Sequence, residues 1–220
     1  GTSPINFENF SPVALYNQDP VALHVAASSD VTDAAGLAAA IAARPGAMNA
    51  SGANFGGVAH LGMVGFLLAN DLPADSVVWI PSEGAAPSLQ ELAAGTVQIV
   101  STTMPEAASM VAAGEARVIG VLSDARLASA PDVPTMVEQT GNAASFGAWR
   151  GIAGPAGMPD DVVARLSEAM TEVAANPEFA ELMGARGFGV SFLPADQFGA
   201  FLADRDAAFG AAMSAAGLGR

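Results

Sequence analysis

Apolar positions along the first two thirds of the chain fall into short unbroken runs, which alternate with longer stretches where they recur at three and four residues. The first pattern is that of strands buried on both faces, the second that of helices buried on one. Pro12–Asn17 and Val21–Ala26 predict two short extended segments parted by Gln18-Asp19-Pro20. Thr32 predicts the N-cap of a helix that carries Leu37 and Ile41 on one face and ends at Pro45-Gly46. Met48–Ala50 reads as a brief strand, followed by the Gly-rich Ser51–Gly57 and a helix to about Asn70. Strands at Val77–Ile80, Val97–Ser101 and Val118–Leu122 then alternate with helices at Ala86–Ala94 and Pro105–Ala113. That alternation predicts a largely parallel α/β sheet.

The last third reads differently. A strand at Ala148–Ala153 precedes a helix over Pro159–Ala175, interrupted by Asn176-Pro177, and a second helix from Glu178 to Ala185. Val190–Phe192 predicts a short strand, and Ala195–Ala216 a long amphipathic helix with Phe198, Leu202 and Phe209. A strand-poor lobe thus follows a regular α/β one. Ser129–Pro134 and Gly141–Gly147 are the natural boundary stretches, placing the break near residue 145.

Composition narrows the partners. Apolar side chains make up 51% of the chain, too many for disorder. Eight basic residues, all Arg, stand against 22 acidic ones, for a net charge of -14. So few scattered cations disfavour nucleic acid and anionic membrane surfaces. There is no cysteine, which excludes disulfides, thiolate catalysis and Cys-based metal sites. The longest apolar runs, Ala38–Ala43 and Met63–Ala69, fall far short of the roughly 20 residues of a membrane span. Gly1-Thr2-Ser3-Pro4 lacks the features of a signal peptide, so either the protein is cytosolic or its targeting segment lies outside this chain.

Three junctions carry polar chemistry. Ser51-Gly52-Ala53-Asn54-Phe55-Gly56-Gly57 links a strand to a helix, where backbone N–H groups and the helix dipole suit an anion. It matches neither the P-loop nor the dinucleotide fingerprint, and a plain glycine turn explains it equally well. Ile80-Pro81-Ser82-Glu83-Gly84 also ends a strand, but Ile80 occupies the place of the glycine that a nucleophile elbow requires. Ser101-Thr102-Thr103 repeats the position with three hydroxyls. Together the three converge on the carboxyl edge of a parallel sheet, the usual ligand crevice. His60 lies a turn into the helix after the first loop, suited to reaching back to that loop or to packing; His24, in a strand, reads as structural. Two histidines make a poor metal case. Asp160-Asp161 suits the first turn of a helix. Trp149-Arg150 reads as a hinge anchor, a carboxylate ligand or a structural salt bridge.

The order of motifs resembles the Bug-type periplasmic solute-binding proteins of tripartite tricarboxylate transporters. The likeness runs from Phe10-Ser11-Pro12-Val13 through Asp19-Pro20, Arg44-Pro45-Gly46 and Ser51–His60 with Leu61 to Pro81-Ser82-Glu83-Gly84-Ala85-Ala86-Pro87-Ser88-Leu89-Gln90-Glu91-Leu92. It continues through Ala94-Gly95, Gly114-Glu115, Pro131-Asp132-Val133-Pro134-Thr135, Trp149, Gly154-Pro155-Ala156-Gly157-Met158-Pro159 and Asn176-Pro177. The resemblance implies a type II two-lobed Venus-flytrap fold of α/β class. Residues 12–145 would form the α/β second lobe, and 1–11 with 146–220 the remainder of an incomplete first lobe. In the family a strand and a Pro/Gly-rich ligand loop stand before the position of Gly1, so either this chain is a piece of a longer one that carries them with the signal peptide, or another copy contributes them.

The resemblance also implies a function. An extracytoplasmic, periplasmic protein would capture a small organic carboxylate and pass it to the membrane components of the transporter. No catalysis, cofactor or metal is implied, and no membrane insertion. The family's site loops map onto Ser51, Gly52, Asn54, Phe55, Gly56, Gly57 and His60, onto Ser82, Glu83 and Gly84, and onto Ser101, Thr102 and Thr103. Arg150 joins them as a candidate carboxylate ligand. Many members have Tyr-Lys where this chain has Ser82-Glu83, so a bulky hydroxyl and a cation are replaced. Two other readings stand beside this one: a ligand-sensing regulatory domain of flytrap architecture, and a serine hydrolase using Ser82 and His60.

Overall fold

Phe10–Ala26 forms one continuous strand, β1, of 17 residues, and not the two segments predicted around Gln18-Asp19-Pro20. Proline is tolerated there because the strand changes partners at that point. The amino half pairs antiparallel with β7 (Leu193–Pro194), through Ala14 and Leu15. From Val21 onward the strand pairs with β4 (Ile99–Thr103) and β5 (Ala116–Val121). The computed structural model describes residues 5–218.

Two compact units result, one made of the described residues up to Asp19 with Trp149–Ala211, the other of Pro20–Ala148 with Ala212–Leu218. Residues 12–19, placed by the sequence with the α/β lobe, cluster instead with the C-terminal helices.

In the second unit, β2 (Asn49–Ser51) and β3 (Val78–Trp79) complete a sheet of order β3-β2-β4-β1-β5. β2 runs parallel to β3 and β4, while β1 is antiparallel to both its neighbours. The sheet is therefore mixed, a correction to the largely parallel one predicted. An apolar run reports burial on both faces but not strand direction. Around it pack α1 (Ala34–Ala43), α2 (Val58–Ala69), α3 (Ala85–Ala93) and α4 (Met104–Ala112). Asp33, not Thr32, caps α1, its carboxylate accepting from Gly36 N–H at 2.7 Å. A short helix, α5 (Met136–Thr140), went unpredicted; Thr135 and Glu138 form its capping box straight after Pro134. Leu23, Leu37, Ile41, Phe66 and Ile99 are buried in this unit.

In the first unit, β6 (Gly147–Pro155) leads to α6 (Asp160–Ala175), α7 (Pro177–Gly184), β7 and α8 (Ala195–Ala215). The short strand forms at β7, a few residues beyond the predicted Val190–Phe192. Pro159 caps α6 from outside instead of lying in its first turn. Phe198 and Leu202 of α8 close on Leu15, with Trp149 edge-on to Phe198 at 5.7 Å. Among the described residues no helix is long and apolar enough to cross a membrane.

Candidate functional site

Because β3, β2 and β4 are parallel neighbours, their carboxyl ends share one edge of the sheet, and the three polar junctions emerge there together. Gly52 lies flat on β4. A Cβ built on it would stand 2.1 Å from the Ser101 carbonyl oxygen and 2.9 Å from Ala59 Cβ. The loop then turns through Gly56, at φ +79°, while Gly57 N–H donates to Asn54 O at 3.1 Å. Ser82 N–H donates to Ala53 O at 3.3 Å, lacing the second junction to the first.

Hydroxyls lace them again. Ser51 Oγ donates to Ile80 O at 2.8 Å and sits 3.0 Å from Ser88 Oγ, which lies 2.5 Å from Ser82 Oγ. Ser82 Oγ and Ser88 Oγ also each stand 2.9 Å from Gly84 O; with one proton apiece, whichever donates along the hydroxyl chain leaves that carbonyl to the other. Ser88 is fully buried and was not singled out from the sequence. The available signal was a lone hydroxyl one helical turn after Gly84 in an otherwise apolar face.

His60 reaches back to its own loop. Gly56 N–H donates to its Nδ1 at 3.0 Å, so the neutral ring carries its proton on Nε2. Burial pushes the imidazole below its ordinary value. Phe55 stacks on it at 4.4 Å and Trp79 leans against it at 4.8 Å. The partners of His60 are thus its own loop and two rings, and those of Ser82 are Ser88 and Gly84. The two do not stand as nucleophile and base. Ester turnover on p-nitrophenyl acetate is therefore expected to be absent; turnover lost in both Ser82→Ala and His60→Ala would restore the hydrolase reading.

The third junction is spoken for. Ser101 Oγ donates to Ala59 O at 2.7 Å. Thr102 and Thr103 hydroxyls donate to Glu106 Oε2 at 2.5 and 2.7 Å, and Thr103 N–H at 3.0 Å. Partial desolvation raises the Glu106 carboxyl, but the donors from Thr102 and Thr103 outweigh it and leave it below the usual range. Asn54 and Glu83 are exposed. Arg150 belongs to the other compact unit, where it pairs with Asp19, donates to Asn17 Oδ1 at 2.5 Å and lies 4.1 Å over the Phe188 ring. Among the described residues, no group of three or more His, Asp or Glu could hold a metal ion.

Helix starts separate the junctions further. Side chains cap α1, α5 and α7, and Glu106 serves α4. Helices α2 and α3 open at Gly57 and Gly84 with no side-chain cap. The first bond of α2 runs from Leu61 N–H to Gly57 O at 2.9 Å, so the amides of Val58, Ala59 and His60 stand ahead of the ladder. Two such starts side by side offer neutral donors to an anion.

The chain is similar to several known proteins. A UPF0065 protein of Bordetella pertussis is 30% identical over 184 residues, 84% of this chain and 56% of that protein. The chain thus spans about half the length of this relative. A TctC solute-binding protein from Polaromonas, solved without ligand, superposes with a TM-score of 0.87 at 24% identity over 96% of this chain and 72% of that one. An R. palustris protein solved with adipate has a TM-score of 0.75 at 22% identity, over 99% of this chain and 71% of that one. These likenesses show the α/β fold of periplasmic binding proteins that the motifs implied. The family model described as the tripartite tricarboxylate transporter family receptor, TctC, matches residues 3–218, and the chain belongs to that family.

Proposed function

We propose that this chain is a ligand-bearing part of a periplasmic receptor that captures a small organic carboxylate and hands it to a tripartite tricarboxylate-type transporter, without catalysis. The observation that carries the reading is the pair of uncapped helix starts, α2 and α3, held side by side by the Ser51–Ser88–Ser82 hydroxyl chain. The adipate in the R. palustris structure is a small carboxylate on the same fold. A net charge of -14 gives an anion no long-range attraction, so local donors have to overcome the field. Hydrogen bonds to a charged group contribute about 1.5–3 kcal/mol each, and a few amides suffice.

On this reading the amides of Gly52–Gly57 and of the first turn of α2, with His60, meet the carboxylate. Ser82 and Gly84 shape the second start, and Ser101–Thr103 hold the third junction in place. Arg150 is left out, since Asp19 and Asn17 already hold its guanidinium. A thermal-shift panel of mono-, di- and tricarboxylates, sugars and cations tests the proposal. An acid at about 100 times its dissociation constant adds roughly 2.7 kcal/mol to folding stability. A melting temperature raised only by a neutral or cationic solute would sink it.

Glu83 bears on charge. It is exposed beside the α3 start, and a second carboxylate on the ligand would meet its field. Glu83→Lys is expected to leave monocarboxylate affinity within about twofold and to tighten citrate roughly tenfold. Calorimetry showing a wild-type preference for citrate that Glu83→Lys weakens is the opposite outcome.

A further inference from the structure

Phe55 stands on the Ser51–Gly57 loop with 52% of its surface exposed. One face is taken: His60 stacks on it at 4.4 Å with the ring planes 28° apart. His60 is itself fixed, by the Gly56 amide at 3.0 Å and by Trp79 at 4.8 Å. A turn needs glycines but has no need of a ring ladder that ends in a half-exposed phenyl group. Exposed apolar surface carries a hydration cost that a bound molecule would remove. Phe55 also lies two residues before Gly57, which opens α2, and the His60 ring it stacks on belongs to the first turn of that helix.

We propose that the exposed surface of Phe55 is the platform for the body of the bound acid, and that the ligand class is a small carboxylic acid with a flat, unsaturated ring. Its carboxylate sits on the first-turn amides of α2 and its ring lies against Phe55. The proposal rests on the carboxylate-receptor reading above. Charge favours one carboxylate and an apolar remainder. The chain has no Lys; Arg117 donates to Ala27 O at 3.0 Å, and Arg126 pairs with Glu138 at 2.9 Å. Neutral donors beside an aromatic wall are the lining that such a molecule requires.

Calorimetry of the full chain with benzoate and with cyclohexanecarboxylate compares two acids of equal charge and nearly equal size, one flat and one puckered. Benzoate is expected to bind roughly tenfold more tightly. Phe55→Leu, which keeps apolar surface but removes the ring, is expected to abolish that preference and leave cyclohexanecarboxylate within about twofold. The melting temperature of the variant, at a half-exposed position, is expected to stay near wild type. An unchanged ratio in Phe55→Leu, or malate or adipate bound more tightly than benzoate, overturns the ring platform and leaves the carboxylate receptor standing. No binding of any of the four acids overturns both.

Discussion

Replacing Gly52 by Ala is expected to cost about 3 kcal/mol of stability and to abolish binding of any acid at the α2 start. Space is the problem here, not backbone conformation. The added methyl would stand 2.1 Å from the Ser101 carbonyl oxygen, a backbone atom in the centre of the sheet that no side-chain rotation can clear. Either β4 moves or the loop lifts, and lifting it carries away Ala53, whose carbonyl accepts from Ser82 N–H. Gly46→Ala is the matched control. Its Cβ would meet nothing within 4 Å, so only the φ of +76° is strained, at a cost of about 1 kcal/mol. Urea denaturation of both variants, with calorimetry of each, checks the contrast. A Gly52→Ala protein as stable as Gly46→Ala and still able to bind would refute the account.

The second large effect concerns acid. His24 is fully buried on β1, its Nδ1–H donating to Val100 O at 3.3 Å and its Nε2 buried without a partner. Burial pushes its pKa down to about 4, although the Val100 and Ala22 backbone and the Glu106 carboxylate pull the other way. The unfolded chain takes up that proton near pH 6.5, so between 6.5 and 4 it binds more protons than the fold does. Stability from this group is full above pH 6.5 and is lost as pH falls towards 4, by about 3 kcal/mol in all. His60, also lowered by burial, adds to the loss in the same window. Glu106 and Glu138, both lowered, act at more acid pH, below the unfolded value of 4.5. His24→Leu is expected to flatten the upper window, leaving the His60 share. Denaturation curves at about pH 7, 5.5 and 4 decide it, and an unaltered slope in the variant would mean that His24 is protonated in the fold.

Much of this is written in residue order. Strand-to-helix alternation places β2, β3 and β4 within a residue or two, and their shared edge follows. Other features lie outside what an apolar run encodes. The direction of β1 depends on which chain segments flank it, and its continuity through Pro20 depends on a change of partner at that residue. The commitment of Thr103 is legible in hindsight: Thr103-x-x-Glu106 has the capping-box spacing, which marks its hydroxyl as a helix cap before it is a ligand donor. Arg150 suits a carboxylate ligand and a structural salt bridge equally in sequence; only the fold brings Asp19, 131 residues away, to its guanidinium.

β1 also sets a timetable for the growing chain. Its amino half finds β7 and the packing of Phe198 only after Pro20–Ala148 and two further helices have been made. Asn17 waits 172 residues for the carbonyl of Gly189. The carboxyl half finds β4 and β5 much sooner, so the unit built on Pro20–Ala148 condenses early while Val13, Ala14 and Leu15 remain uncovered. Pairings of such long sequence separation form slowly, and an unpaired apolar strand is where nascent chains associate wrongly. Even the Ser51–Gly57 loop is finished late: Leu218, beyond the end of α8, packs beside Gly56. Synthesis thus completes the surroundings of the Ser51–Gly57 loop long after its own residues have left the ribosome.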